Sequence, residues 1–366
     1  MTPRESTYLD ILRSLAALDV VFGHAADLYD LPRVGQWGHQ AVMVFFVLSG
    51  YVIAHVAAVR ETSLRPFAVA RLARLWSVVV PALALTVVCD VIGRRFGHDP
   101  RAYAFAPSDW PLVRIGAMLG FLSESWVSIQ PLSNGAAWSL CLEFWYYMLF
   151  AAWMFLPRGW LRGAGVLGAA ALMGHKGLLL LPVWLMGVAL QRAPSLRRHS
   201  AWVDGLLWAG GLVFMGWVVM TRAYDPAIHA MEDAVSPWVF RQLAEARVFW
   251  LDWAFGLAVA AHLLGARRVA ERLPLGWVAG PARWCAGVSF ALYMFHEPLL
   301  HLSAGFLPRD AGWLAIGLTL AVVAVLGPPA ERSKRWWRRR LDEVAAWSVG
   351  RLGTGLLRGR ARLPAG

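Results

Sequence analysis

Long apolar stretches separated by short polar segments follow one another along almost the whole chain. About twenty apolar residues cross a membrane as a helix, so this pattern predicts an all-α, polytopic membrane helix bundle of about 10 transmembrane helices. The stretches 163–174 and 177–191 are short, and they predict either two tilted helices or one broken helix. The predicted spans are 8–28, 38–58, 76–95, 137–156, 163–174, 177–191, 203–221, 248–266, 284–304 and 312–328.

One apolar stretch differs from the others. Residues 112–127 contain Arg114, Glu124 and Ser125, which leave an apolar run that is too short to cross the membrane. We therefore predict a short re-entrant or surface segment near 112–127.

The positions of arginine predict the orientation of the helices. Arginine-rich loops face the cytoplasm in most membrane proteins, which places both termini in the cytoplasm and loops 96–136 and 222–247 outside, provided that 163–190 crosses twice. Arg94, Arg95 and Arg101 would then lie outside, against the rule. The clusters assigned to the cytoplasm are Arg60 to Arg74, Arg192 to Arg198, Arg267 to Arg272 and Arg332 to Arg340.

Composition supports a membrane environment. Hydrophobic residues make up 58% of the chain and charged residues 16%, whereas about a quarter of a soluble domain is charged. The net charge of +12 comes mostly from arginine and indicates contact with membrane lipid; no basic run belongs to a nucleic-acid-binding module.

Cys89, Cys141 and Cys285 lack metal-ligand spacing, so no metal is predicted. The first apolar run lacks a cleavage-site pattern, so we expect no signal peptide.

The chain is expected to form one membrane domain, 1–332, followed by a basic cytoplasmic tail, 333–366. Within the tail, Trp336 and Trp337 lie inside the basic run from Lys334 to Arg340. Basic and aromatic residues together are typical of a helix in the membrane interface.

The first predicted helix contains ionisable residues at Asp10, Arg13, Asp19 and His24. Such residues within a membrane are costly and usually functional. Arg13 and His24 are eleven positions apart, about three helical turns, so they share a face and are about 16 Å apart along the axis. An Asp10–Arg13 salt bridge and a hydrogen-bonded core histidine would explain these residues without catalysis.

A second polar stripe runs along 137–156, where Ser139, Glu143 and Tyr147 recur every four residues, with Tyr146 beside them. In the predicted topology Glu143 and His24 lie at similar depth. A carboxylate beside an imidazole fixes its tautomer and stabilises the imidazolium, as a general base requires. We predict that His24 and Glu143 are catalytic; the alternative is a buried hydrogen bond that joins two helices.

Other polar residues are candidates for substrate contact. His296 lies near the middle of 284–304, and Pro298 after it frees a backbone carbonyl and kinks the helix, often beside a cavity. A satisfied core histidine is the alternative. Arg71 and Arg74 lie one turn apart at the start of the third span, and guanidinium pairs suit a phosphate-bearing ligand. Anchoring on the cytoplasmic side would explain them equally well.

Six motifs follow one another along the chain: Leu9–Arg13 with His24, Phe45–Gly50 (where Gly50 suits close helix approach), Arg71–Pro81, Trp138–Tyr147, Ser289–Pro298 and Glu331–Arg332. Together they resemble the acyltransferase-3 family of integral membrane acyltransferases, which includes O-antigen and envelope-glycan O-acetylases. Ile11 in place of a glycine, the extra charge of Asp19, and Cys141-Leu142 depart from the family pattern but remove no candidate group. We expect no room for the C-terminal esterase-like domain of some relatives.

The resemblance implies transfer of an acyl group, expected to be acetyl, from acyl-CoA in the cytoplasm to a hydroxyl of a glycan, lipid-linked sugar or small acceptor. It implies location in the cytoplasmic (inner) membrane of a bacterium. His24, oriented by Glu143, would remove the acceptor proton, and Ser139, Tyr146 and Tyr147 are candidates to stabilise the oxyanion. The other expected substrate-binding residues are Asp10, Arg13, Ser49, Arg71, Arg74 and His296.

Two other functions fit the same residues. A proton-coupled transporter or flippase would use His24, Glu143 and His296 as a proton relay, but the inverted repeats typical of transporters are not apparent in the sequence. A non-catalytic scaffold is disfavoured because it would not need the complete set of His, Glu and Arg residues.

Overall fold

The structure, a computed structural model, describes residues 2–32, 37–61, 63–192 and 200–346. All regular elements in these ranges are helical, which confirms the predicted all-α class. The predicted cytoplasmic residues Arg197 and Arg198, and the tail after 346, lie outside the described residues. The main helices are α1 Pro3–Leu28, α2 Gly38–Val59, α3 Leu64–Phe96, α4 Pro111–Leu119, α5 Trp138–Phe155, α6 Trp160–Arg192, α7 Ala201–Met220, α8 Tyr224–Ala234, α9 Pro237–Leu243, α10 Phe249–Arg272, α11 Ala279–Phe306, α12 Gly312–Arg332 and α13, 334–346.

Within the described residues, six stretches are long and apolar enough to cross a membrane. The helices α1, α5 and α11 match three further predicted spans in position but are not among the six. The predicted count of about ten transmembrane helices is therefore not confirmed. The six stretches are Gly38–Val59, Leu64–Phe96, Trp160–Arg192, Ala201–Met220, Pro237–Arg272 and Arg309–Ala346.

Gly174 divides α6 into two helical segments. Its φ of 78° lies in the left-handed region that favours glycine. Gly165, before the break, packs against the end of α5, and the Arg192 guanidinium, after the break, lies 5.4 Å from the Phe150 ring of the same helix. Both ends of α6 therefore lie beside one end of α5, and the chain reverses direction near Gly174.

The segment near 112–127 contains only the nine-residue helix α4, about 14 Å long and too short to cross a membrane. This agrees with the prediction of a re-entrant or surface segment. After α4 the chain enters the bundle, where Ser123, Ser133 and Asn134 are buried.

The centre of the bundle is formed by α1, α2, α3, α5, α6 and α11. α1 packs against α2 and α11, α11 also packs against α3 and α12, and α2 packs against α6. A Cβ atom at Gly50 would collide with the carbonyl oxygen of Trp184 on α6, so Gly50 permits the close helix approach expected from the sequence. We call the end of the bundle where α1 ends and α2 begins the upper end, and the opposite end the lower end.

The tail helix α13 packs along the first part of α3. Trp337 contacts Trp76 with ring centroids 5.4 Å apart, and Asp342 lies 3.9 Å from Arg65. These contacts tie the tail to the bundle, while its location in the membrane interface stays a prediction.

Candidate active site

A narrow cavity of about 90 Å³, here called the lower cavity, lies among α1, α2, α3, α5 and α11. Its walls are mostly apolar, but arginine side chains and a cluster of carboxyl and hydroxyl side chains also line it. Seven of the predicted site residues line it: Arg13, Ser49, Arg71, Arg74, Ser139, Glu143 and Tyr147.

Glu143 is the centre of a hydrogen-bonded cluster in the lower cavity. Ser49 Oγ donates to Glu143 Oε1 at 2.6 Å, and the Tyr147 hydroxyl, one turn along α5, donates to the same oxygen. Trp184 Nε1 donates to Ser49 Oγ at 3.2 Å. The Glu143 side chain is therefore held by Tyr147 of its own helix and by Ser49 of α2, which Trp184 of α6 holds in turn.

Three arginines converge on this cluster from α1 and α3. Arg13 and Arg74 interact electrostatically with Glu143. Arg13 also lies 4.0 Å from Asp10, one turn before it. Arg71 contacts both oxygens of the Glu61 carboxylate at 2.9 Å. Part of the arginine charge is thus balanced within the protein, and the remainder faces the cavity.

A larger cavity of about 830 Å³, here called the upper cavity, lies between the upper ends of α1 and α2, the 124–138 segment and the 241–247 segment. This volume is in the range of small-molecule binding sites. Its polar lining comprises His24, Asp27, His39, Glu124, Ser128, Gln130, Arg241, Glu245, Arg247 and Glu297, with Trp138 as an aromatic wall.

Ion pairs fix two of these side chains, His39 and Glu124. His39 Nε2 lies 2.8 Å from Asp252 and its Nδ1 lies 3.6 Å from Glu245, so the imidazole joins α2 to α10 and to the loop before it. Glu124 forms an ion pair with Lys176 of α6. Burial raises the pKa of Glu124, although the Lys176 ammonium acts in the opposite direction.

His24 projects from α1 into the upper cavity, and about 30% of its side chain is exposed there. Its Nδ1 lies 3.1 Å from His296 Nε2 and 4.0 Å from Glu297 Oε2, both on α11. Glu143 instead lines the lower cavity. The predicted contact between His24 and Glu143 is therefore wrong: the carboxyl group beside His24 belongs to Glu297.

Tyr293 of α11 lines both cavities and lies between them. Its hydroxyl donates to the carbonyl oxygen of Ala136 at 2.8 Å. Because that oxygen only accepts, the Ser139 hydroxyl, 2.7 Å from the Tyr293 hydroxyl, is the donor in the second hydrogen bond. Two hydroxyl groups thus lie where the arginine-lined space meets the histidine-lined space.

An acyltransferase family profile, described as an acyltransferase domain, matches residues 6–328. The chain belongs to the acyltransferase-3 family. An O-acetyl transferase of Shigella phage Sf6 is 28% identical over 162 residues, which cover 40% of this chain and 45% of the phage protein. Protein 2 in the picA locus of Rhizobium radiobacter is 30% identical over 165 residues, 41% of this chain and 83% of that protein. No solved structure matches the chain.

The family assignment, with the apolar helices, indicates an integral membrane protein and supports acyl transfer as its reaction. In the described part of the chain, no group of three or more His, Cys, Asp or Glu side chains is arranged to hold a metal ion.

Three predicted substrate-binding residues lie away from both cavities. Tyr146 is buried between α5 and α6, and its hydroxyl donates to the carbonyl oxygen of Gly177. His296 has no exposed surface and lies behind His24. Asp10 pairs with Arg13, as the salt-bridge alternative predicted. Substrate contact is therefore not supported for Tyr146, His296 or Asp10, because their polar atoms face other protein groups.

The sequence interpretation missed two residues that line the upper cavity on α11, Tyr293 and Glu297. A signal was present, since Ser289, Tyr293, Glu297 and His301 recur every four residues and form a stripe on one helical face. This is the same pattern that singled out Ser139, Glu143 and Tyr147 on α5.

Proposed function

We propose that this protein transfers an acyl group, most simply acetyl, from acyl-CoA to a hydroxyl of a polyhydroxylated envelope acceptor. The observation that carries the proposal is that one face of α1 places Arg13 in the lower cavity and His24 in the upper cavity, and that the two cavities meet at Tyr293. A phosphate-binding group and a general base are thereby held at opposite ends of one path.

The lower cavity suits the donor. Arg13 and Arg74 carry guanidinium groups that favour phosphate oxygens. The apolar walls suit the pantetheine arm of acyl-CoA, which carries the thioester. Because this cavity holds only about 90 Å³, the arm would displace side chains, with Tyr293 as the last obstacle before His24. Such local movement on substrate binding is common in enzymes.

The upper cavity suits the acceptor. Carboxyl groups, arginines, an amide and the Trp138 ring line it, and these groups together can hydrogen-bond and pack against a glycan, a lipid-linked sugar or a smaller hydroxylated molecule. We propose that this cavity opens to the extracytoplasmic side of a bacterial inner membrane and that the N terminus and the tail lie in the cytoplasm.

In the proposed reaction, His24 Nε2 takes the proton of the acceptor hydroxyl as the oxygen attacks the thioester carbonyl. A C–O bond forms, the C–S bond breaks, and the proton passes from the imidazolium to the CoA thiolate, so that an ester and free CoA leave. General-base help of this kind contributes about 10²–10⁴-fold. To stabilise the oxyanion, the Tyr293 hydroxyl at the junction would turn away from the Ala136 carbonyl oxygen, to which it donates in the structure, while Ser139 keeps its hydrogen bond to Tyr293.

The test is mass spectrometry of envelope glycans and lipids from a strain that lacks the gene, complemented with the wild-type protein or with His24→Ala. We expect an acyl mass to disappear from one component in the deletion strain and to return only with the wild-type protein. Full acylation with His24→Ala at wild-type membrane levels would exclude the proposed base.

A further inference from the structure

We propose that His296 is a positioning residue that holds His24 in the tautomer with its proton on Nδ1, so that the lone pair on Nε2 faces the upper cavity. The proposal rests on the proposed function, in which His24 is the general base. It gives a task to a fully buried histidine that touches no substrate cavity.

His296 is neutral and carries its proton on Nδ1. Its Nδ1 lies 3.0 Å from the carbonyl oxygen of Leu292, one turn earlier on α11. A carbonyl oxygen only accepts, so Nδ1 carries a proton. A buried charge without a nearby counter-charge is costly, and in the described ranges no acidic side chain lies within 4.0 Å of the His296 ring nitrogens. The ring is therefore neutral, and its Nε2 carries a lone pair.

The unprotonated Nε2 of His296 fixes the tautomer of His24. Its Nδ1 lies 3.1 Å from His296 Nε2, so one proton must lie between the two nitrogens. Because His296 Nε2 has none, His24 Nδ1 donates it. A neutral imidazole has a single N–H, so His24 Nε2 is left with a lone pair.

The Nε2 edge of the His24 ring is the edge that faces the upper cavity. His24 has His296 on its Nδ1 edge, and its exposed part faces the upper cavity. The Nε2 edge, on the far side of the ring, is thus the one available to an acceptor hydroxyl. When Nε2 takes a proton, Nδ1 keeps its hydrogen bond to His296, and the carboxyl group of Glu297 lies 4.0 Å away. The local backbone is held as well, because Asn134 Nδ2 donates at 2.9 Å to the Met294 carbonyl, the group that Pro298 leaves without a helical partner.

The direct test is nitrogen NMR of the full-length protein in nanodiscs with ¹⁵N-labelled histidine. The His24 signals are assigned by their loss in His24→Asn. We expect a protonated Nδ1 and an unprotonated Nε2 at His24 in the wild type. A protonated Nε2 on neutral His24 would overturn the proposal.

Kinetics of two variants provide the second test, with acetyl-CoA and an envelope extract as substrates. In His296→Leu the acceptor for His24 Nδ1–H is absent, and we expect kcat to fall about 10- to 100-fold, the range found for groups that orient metal-bound histidines, with little change in KM for acetyl-CoA. In His296→Gln the amide oxygen can accept at the Nε2 position, so part of the rate is expected to return. The matched control is His229→Leu, because His229 makes the same contact to a carbonyl one turn earlier but lies outside both cavities.

The outcomes separate the two proposals. Full acylation with His24→Ala would refute the proposed function whatever the NMR shows. An inactive His24→Ala together with wild-type kcat in a folded His296→Leu would refute only the tautomer proposal. Should His296→Leu fail to fold, as judged by its thermal unfolding, the wild-type nitrogen spectrum decides alone.

Discussion

Glu297→Gln is expected to lower kcat because its carboxyl group is the nearest one to His24, 4.0 Å from Nδ1. Two unit charges at this distance interact by about 4 kcal/mol at an effective dielectric constant of about 20. For an ionised Glu297 and an imidazole that is about half charged in the transition state, the loss is at most about 2 kcal/mol, or up to about 30-fold in rate, because Asp27 and Glu245 also interact with His24 and remain in the variant. Glutamine can still accept the hydrogen bond from the Ala136 N–H, which is 2.5 Å long, so the loop should stay in place.

The assay measures release of the CoA thiol from acetyl-CoA by the purified protein in nanodiscs, with an envelope extract as acceptor. Glu143→Gln is the matched control, since it makes the same isosteric change in the carboxyl group predicted from the sequence to orient His24. Glu143 contacts Ser49 and Tyr147, so we expect a smaller fall in kcat than for Glu297→Gln. The opposite order, with Glu297→Gln close to wild type, would refute the assignment of Glu297 as the partner of His24.

Two further predictions concern donor binding and helix packing. Arg74→Gln is expected to raise the Kd for acetyl-CoA about 10-fold or more, the value of one charge-assisted hydrogen bond, whereas Arg101→Gln, on an exposed arginine outside both cavities, should leave it unchanged; equal affinities would contradict a phosphate site at Arg74. Gly50→Ala should lower the free energy of unfolding by about 1–3 kcal/mol, because the added methyl group meets the Trp184 carbonyl, whereas Gly216→Ala, with open space around it, should be neutral or slightly stabilising. Thermal unfolding of both alanine variants in the same detergent tests this, and equal melting temperatures would argue against close packing of α2 on α6.

The sequence predicted the helical class and the approximate positions of the long helices, because apolar runs mark where a helix can meet lipid. It was less accurate at helix starts. The third helix begins at Leu64 rather than at 76, since the charges of Arg65, Arg71 and Arg74 end the apolar run although arginine is a good helix former. The interruption expected between 174 and 177 is present at Gly174, but the sequence left open whether it separates two helices or breaks one, because a left-handed glycine is not distinguishable from a helical one in the sequence.

Periodicity predicted which side chains share a helical face but not which residues they meet. Ser139, Glu143 and Tyr147 do form one stripe, and it faces the lower cavity. The depth of His24 relative to Glu143 depends on how α1 and α5 slide past each other, and no local pattern records that. The sequence interpretation selected His296 and not Glu297. The helical repeat places Glu297 on the face of Tyr293, so that His296 and Glu297 point to different surroundings.

The arrangement of these groups also bears on the alternative of a proton-coupled transporter. A relay needs each member to accept a proton on one side and release it on the other. In the described part of the chain, the hydrogen bonds from His24 lead to His296 and end at the Leu292 carbonyl oxygen, which cannot pass a proton on. Glu143 lies in the other cavity, beyond a Tyr293 hydroxyl that donates to another carbonyl. Hydrogen bonds that end at backbone carbonyls fix tautomers and orientations, and this is what a general base requires, whereas a proton pathway would require partners that can exchange roles.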